Sequence, residues 1–334
     1  MVKTLATLLT ILSLWLAGSA QAGSPTLNEV RARGTLLCGV MAPSIGMESI
    51  AGPRGFFADF CHATAAAVLG SPSAVVFVEL EASQWFKAVS QGEVDVVMAP
   101  VTWTRERGLV PGVEFATTYF YSGPGVIAHR YLGYANLGDA RNARVCVQKE
   151  TTSDDWLAHR MGADVSSMTK VRFQSNDGRW RAFMQRQCDL MVSDQMLLAA
   201  GARQQSNPDN YVIFPDTLTI EPQGPLVRSG DRLWRDIVAW TIHATVHAER
   251  LGITAAIAAR PSGPLTRDRD LLLGLTPGVG SPLGLDDRWA ARVIQAVGNY
   301  GEIFNRNLTV PFGISRGPNA LWTNGGLMMA PLLR

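Results

Sequence analysis

The alternation of strand-length apolar runs with helical patterns limits the fold of this chain more than any other feature. Runs suited to strands lie at 36–40, 75–80, 94–98, 125–129, 144–148, 170–173, 189–193 and 211–214. Helical patterns cover 60–69, 83–91, 153–161, 178–187, 195–204, 232–249 and 286–299. Strands that alternate with helices build mostly parallel sheets, so the sequence predicts an α/β fold. The 334 residues have room for two domains at roughly 100–200 residues each.

Two segments echo each other. Residues 85–98 (WFKAVSQGEVDVVM) read as a helix, a turn and a buried strand that opens with Asp95. Residues 179–192 (RWRAFMQRQCDLMV) have the same form, with Asp189 in the equivalent place. The repeat predicts two like-built lobes, each sending a strand end toward a shared crevice. Open α/β sheets bind ligands beyond the carboxyl ends of their strands.

Composition narrows the function. Hydrophobic residues make up 47 % and charged residues 17 %, too apolar for a disordered chain. Thirty basic residues against 28 acidic ones leave a net charge of +2, and the arginines are scattered. No field of that size gathers nucleic acid or an anionic membrane, so neither is an expected partner.

Residues 1–22 combine Lys3, an apolar core from Leu5 to Leu16 and a closing Ala20-Gln21-Ala22. That pattern describes a secretory signal peptide, with a core too short for a membrane span of about 20 residues. A mature chain beginning near Gly23 is then an exported one. Cys38, Cys61, Cys146 and Cys188 all lie beyond the leader. In an oxidising compartment they are expected to pair, and four cysteines permit three connectivities. The local reading favours Cys38–Cys61 and Cys146–Cys188, each joining neighbouring elements of one lobe. The spacings contain no Cys-x-x-Cys and no histidine cluster beside them, so no metal and no cofactor is expected.

The residues just beyond the echoed strands carry the chemistry. After Met98 come Pro100, Thr102, Thr104, Arg105 and Arg107; after Val192 come Ser193 and Asp194. One strand end offers hydroxyls and guanidinium, the other a carboxylate. A zwitterion needs that pairing: an arginine fork with hydroxyl and N–H donors for its carboxylate, and an acceptor for its ammonium. A plainer reading fits the same residues, with Thr104 and Asp194 as helix N-caps. Capping and ligand binding are compatible.

Taken in order along the chain, the motifs assemble into a resemblance. The mature chain resembles the periplasmic amino-acid-binding proteins of ABC importers, the family 3 solute-binding proteins, and most closely their larger general L-amino-acid-binding branch. Matching stretches run in order through 26–40 (TLNEVRARGTLLCGV), 55–61 (GFFADFC), 91–95 (QGEVD), 102–107 (TWTRER) and 145–148 (VCVQ) with Thr151 and Thr152. They continue through Cys188-Asp189, 193–195 (SDQ), 221–225 (EPQGP), Trp240-Thr241, 296–302 (AVGNYGE), 317–322 (GPNALW) and Gly325-Gly326.

The resemblance implies a two-lobed periplasmic-binding-protein fold, a hinged trap with two strand crossovers near 125–128 and 220–224. Lobe one is then 23–126 plus 224–334, and lobe two 127–223. By position, Thr102 and Arg107 resemble the ligand α-carboxylate site and Pro100 offers its carbonyl to the ammonium. Thr152 is similar to the second-lobe threonine that meets the carboxylate on closure, and Asp194 to the ammonium acceptor. The implied partners are a small-molecule amino acid and an inner-membrane ABC permease, the implied location is the periplasm, and a monomer is expected.

The sequence also departs from the pattern. Relatives usually have glycine where Glu150 stands. A glutamate there either turns to solvent or intrudes on the ligand, blocking a standard amino acid or selecting an additional positive group. Basic-amino-acid binders place an acid near Met41 and an aromatic near Ser44, and both are missing. Phe57 replaces an aspartate while Asp59 remains, and Glu48 is a further acidic candidate. The favoured reading is a non-catalytic receptor that delivers an L-amino acid or similar zwitterion to a permease. The alternative is a dehydratase-like enzyme on the same fold, acting on a cyclic carboxylic acid with Glu150 as general acid.

Overall fold

A computed structural model describes residues 23–42, 55–163, 167–215, 219–261, 263 and 266–333. The expected leader at 1–22, and Ser44 and Glu48, lie outside the described residues. The strands are β1 (Leu36–Met41), β2 (Val75–Leu80), β3 (Val96–Met98), β4 (Val113–Phe115), β5 (Phe120–Ser122) and β6 (Pro124–His129). They continue as β7 (Arg144–Gln148), β8 (Thr169–Phe173), β9 (Leu190–Asp194), β10 (Tyr211–Ile213), β11 (Glu221–Gln223) and β12 (Leu226–Arg228).

These strands form one sheet in the order β2-β1-β3-β12-β4, a second in the order β10-β6-β9-β7-β8, and a ribbon of β5 and β11. The expectation of mostly parallel sheets needs correction. Each sheet has a parallel core of three strands, β2-β1-β3 or β8-β7-β9, extended by antiparallel pairings. β12 and β6, the strands that follow the passages between the sheets, run against the parallel core, and β4 and β10 beyond them run with it.

The chain passes between the sheets at the ribbon, where Glu221 pairs with Ser122 and Gln223 with Phe120. The first crossover thus lies just before 125–128. Those residues are the middle of β6, hydrogen-bonded to both β10 and β9. Gly123 and Gly224 flank the ribbon, and both are dictated by space. A Cβ on Gly123 would lie 1.9 Å from the Thr219 carbonyl oxygen, and one on Gly224 would lie 2.1 Å from that of Thr117.

The second sheet shows why its strands read as unbroken apolar runs. Val126, Ala128, Val145, Val147, Leu190 and Val192 join one core cluster, while Ile127, Cys146 and Met191 belong to the other. Side chains alternate along a strand, so both faces of this sheet are covered.

The echoed segments occupy equivalent places. The helix Trp85–Ser90 precedes β3, and the helix Asn176–Met184 precedes β9. Asp95 accepts from the Leu37 N–H of β1 at 2.7 Å and pairs with Arg33; Asp189 accepts from the Arg144 N–H of β7 at 2.8 Å and pairs with the Arg144 guanidinium. The two aspartates therefore clamp the amino ends of the strands, opposite to the ends where ligands bind. Cys38 of β1 is bridged to Cys61 of the helix Phe56–Leu69, and Cys146 of β7 to Cys188 before β9. Phe57, in the first turn of the helix Phe56–Leu69, is 2 % exposed and belongs to the core.

No described helix is long and apolar enough to cross a membrane.

Candidate functional site

Four segments converge where the carboxyl ends of β3, β7 and β9 face the ribbon. Beyond β3 the chain carries Pro100 and Thr102; β7 ends on Gln148, just before the helix Thr152–Ala163; β9 ends on Ser193 and Asp194. Glu221 and Gln223 come from β11. All of these line a single cavity, together with Arg107, Met41, Glu81, Trp85, Asn176 and Arg179.

At one end, hydroxyls from the two sides meet. Thr102 Oγ1 and Thr152 Oγ1 are 3.4 Å apart, and each donates to Glu221 Oε2, at 3.0 and 3.2 Å. Arg107 spans the same junction. Its Nη1 donates to the Thr102 carbonyl at 3.4 Å and its Nη2 to the Glu150 carbonyl at 3.3 Å, while the guanidinium lies 5.9 Å from the centre of the Phe86 ring. Burial draws the Arg107 pKa down, opposed by the charges of Asp155 and Glu221. Hydroxyls and a guanidinium already holding a carboxylate oxygen and carbonyls form a locus built for anionic acceptors. Thr104 caps the short helix Arg105–Gly108 by accepting from the Arg107 N–H at 3.1 Å. The capping role thus holds Arg107 in place.

At the other end lies Asp194. Its Oδ1 accepts from the Met196 N–H at 2.9 Å, capping the helix Gln195–Arg203, and from Ser122 Oγ at 2.8 Å. Its Oδ2 accepts from Gln223 Nε2 at 2.7 Å. Burial pushes its pKa up to about 6, against the lowering effect of those donors. Both ribbon strands therefore orient this acid, and its capping and cavity-facing roles coexist.

Glu150 is the one expected site residue whose side chain the structure directs elsewhere. It is exposed and absent from the cavity wall; only its carbonyl takes part, as the acceptor for Arg107. Its φ of +61° explains why glycine suits this position. The backbone turn is needed to bring that carbonyl to Arg107, and the side chain then leaves toward solvent. Met41 lines the cavity from the end of β1.

Several residues that line the cavity or orient its acid escape a reading of the sequence. Glu221, Gln223 and Ser122 sit on three-residue strands with too little length for a periodic signal. Arg179 resembles a surface arginine of a polar helix, yet it is 2 % exposed. Its Nη1 donates to the Val192 carbonyl at 3.0 Å and its Nη2 to Asn176 Oδ1. Burial draws its pKa down to about 10, opposed by the charges of Glu81 and Asp194. Gln148 Nε2 donates to Glu81 Oε2 at 3.3 Å, a further contact between the two sides of the cavity.

Two sheets joined by a ribbon, with one polar cavity between their strand ends, define a two-lobed binding protein. The family is settled by comparison: residues 38–251 match the model of the bacterial extracellular solute-binding proteins, family 3, and the chain belongs to that family. The general L-amino acid-binding periplasmic protein AapJ of Rhizobium johnstonii is 36 % identical over 327 residues, 95 % of each chain. The glutamate/glutamine/aspartate/asparagine-binding protein BztA of Rhodobacter capsulatus is 38 % identical over 335 residues, 97 % of each. Among solved structures, an ABC transporter periplasmic binding protein from Brucella ovis with glutathione bound matches with a TM-score of 0.88 and 35 % identity. That match covers 93 % of this chain and all of the other.

Proposed function

We propose that this protein is the periplasmic amino-acid receptor of an ABC importer. It grips the two charged ends of one zwitterion between its lobes and presents the closed form to an inner-membrane permease. The observation that carries the reading is the single cavity that joins Thr102 and Arg107 to Thr152 and Asp194. In this reading Arg107, Thr102 and Thr152 hold the α-carboxylate, and Asp194 accepts from the ammonium with help from the Pro100 carbonyl. Groups from both sides touch one small molecule, so the ligand favours closure through contacts that an open form lacks. Lobe one is taken as the part built on the first sheet and lobe two as the part built on the second, with the ribbon as hinge.

The names of the full-length relatives support the ligand class, and the ABC transporter named with the Brucella ovis structure supports the importer. The relatives are binding proteins, and the chain is a receptor and not an enzyme. The dehydratase-like alternative required Glu150 as a general acid in the crevice, and its exposed carboxyl is outside the cavity wall. Residues 1–22 supply the export signal in this account.

The test is a thermal-shift panel of all twenty L-amino acids with glutathione as a further arm, since the Brucella ovis protein carries it. At least one amino acid should raise the melting temperature and be recovered unchanged after incubation. No response to any of them, or a converted product, overturns the reading.

A further inference from the structure

Charge is distributed unevenly along the cavity. With Arg107 and Asp194 assigned to the backbone groups of an amino acid, one buried cation is left over. Arg179 lines the cavity from the helix Asn176–Met184 at 2 % exposure. Its two terminal nitrogens are held by the Val192 carbonyl and the Asn176 amide oxygen, and its Nε has no hydrogen-bond partner. Among the described residues no carboxylate lies within ion-pairing distance of it; Glu81 and Asp194 act on it only through space. A guanidinium kept out of water without a paired acid is costly unless something supplies an acceptor.

The groups beside it set the kind of acceptor. Glu81 is on the same cavity wall, its Oε2 accepting from Gln148 Nε2. Its carboxylate also caps the turn Ala82–Gln84, and Gln84 Oε1 accepts from the Glu81 N–H at 2.8 Å. A carboxylate has about four acceptor sites, so it has capacity for one more donor. The wall therefore presents donors from Arg179 and an acceptor from Glu81. A second carboxylate on the ligand would satisfy Arg179 but meet the charge of Glu81. An apolar side chain would leave both unanswered. A carboxamide answers both, with its carbonyl oxygen toward the guanidinium and its NH2 toward the carboxylate.

We propose that Arg179 and Glu81 form a side-chain subsite that selects amino acids ending in a carboxamide, and that Gln148 positions Glu81 within it. This rests on the amino-acid reading above and names its ligand class. Sites that hydrogen-bond a buried polar group reject analogues lacking it strongly, because their own groups are left unpaired.

Calorimetric titration of the wild-type protein with two near-isosteric series tests it: L-asparagine, L-aspartate and L-leucine, then L-glutamine, L-glutamate and L-methionine. In at least one series the amide should bind tenfold or more tighter than both the acid and the apolar ligand. Glu81→Gln should shift the amide-to-acid ratio toward the acid by tenfold or more. Arg179→Met should lose amide and acid together; if it fails to fold, the Glu81→Gln result stands alone. Wild-type protein that binds leucine or methionine as well as the amides overturns the subsite and leaves the amino-acid reading intact, and so does an unchanged ratio in Glu81→Gln. Absence of binding by every amino acid overturns both.

Discussion

The hydroxyls of Thr102 and Thr152 approach to 3.4 Å across the cavity, and both donate to the same oxygen of Glu221. One residue follows β3 of the first sheet, and the other opens the helix after β7 of the second. The protein thus supplies a carboxylate of its own at the place assigned to the ligand's, with Arg107 within electrostatic reach. On that assignment Glu221 is a tethered competitor for the locus.

Replacing Glu221 by Gln keeps an acceptor for the hydroxyls and removes the competing charge. Affinity for an L-amino acid should then rise by about tenfold, or about 1.4 kcal/mol. Calorimetry reads this directly. A tenfold loss would instead make Glu221 part of the ligand's support.

Arg107→Ala removes the guanidinium while leaving Thr104 to cap its short helix. Charged hydrogen bonds contribute about 1.5–3 kcal/mol each, so the Kd should rise by about a hundredfold or more. The circular dichroism spectrum should not change. An unaltered Kd would remove Arg107 from the ligand site.

Asp194 gives binding a pH dependence. Its pKa in the folded protein is raised to about 6, so folding disfavours its ionised form. For stability the sign is unfavourable: this group contributes a penalty that is absent below the ordinary carboxylate range and grows as pH rises toward 6. Ligand ammonium needs the ionised acid. Affinity should therefore be flat near pH 7–8 and fall by up to about tenfold per pH unit below 6, as binding must expel a proton. Asp194→Asn should bind weakly with a flat profile, and a wild-type profile that is flat from pH 5 to 8 would count against the assignment.

Much of this site was legible because it grows from strand ends that apolar runs mark clearly. Thr102 and Arg107 come soon after β3 and Asp194 closes β9, and the echo between those segments drew attention to them. Glu221 and Gln223 stand on a three-residue ribbon, too short for alternation to emerge, and their meaning comes from pairing with β5 across the chain. Arg179 was hidden for another reason. Its polar helix looks solvent-facing, and only the packing of the second lobe buries the guanidinium. Glu150 shows that a departure from a family pattern can be absorbed by the backbone, since its φ keeps the turn and its side chain leaves the cavity.

That positive φ has a consequence for stability. A non-glycine residue in the left-handed region is strained by about 1–2 kcal/mol, of which the greater freedom of an unfolded glycine offsets part. Glu150→Gly should stabilise the protein by about 1 kcal/mol in chemical denaturation, with little change in ligand affinity. A destabilised variant would show that the glutamate side chain makes contacts that matter.

The two bridges close loops with sequence separations of 23 and 42 residues. On the loop-entropy relation each is worth about 3–4 kcal/mol. Reduction should lower the melting temperature markedly, and the exported protein should show no reactive thiol when denatured without reductant. Titration of four thiols would discard both bridges.

The central claim is that both charged ends of one zwitterion are gripped between the two lobes. The most direct measurement titrates the protein with its best amino acid, then with the α-amide and the N-acetyl derivative of that amino acid. The amide lacks the carboxylate meant for Arg107, and the acetylated form lacks the ammonium meant for Asp194. Each derivative should bind at least about a hundredfold more weakly than the parent, as expected when a buried charge loses its partner. Binding of either derivative at the parent's affinity would contradict the account.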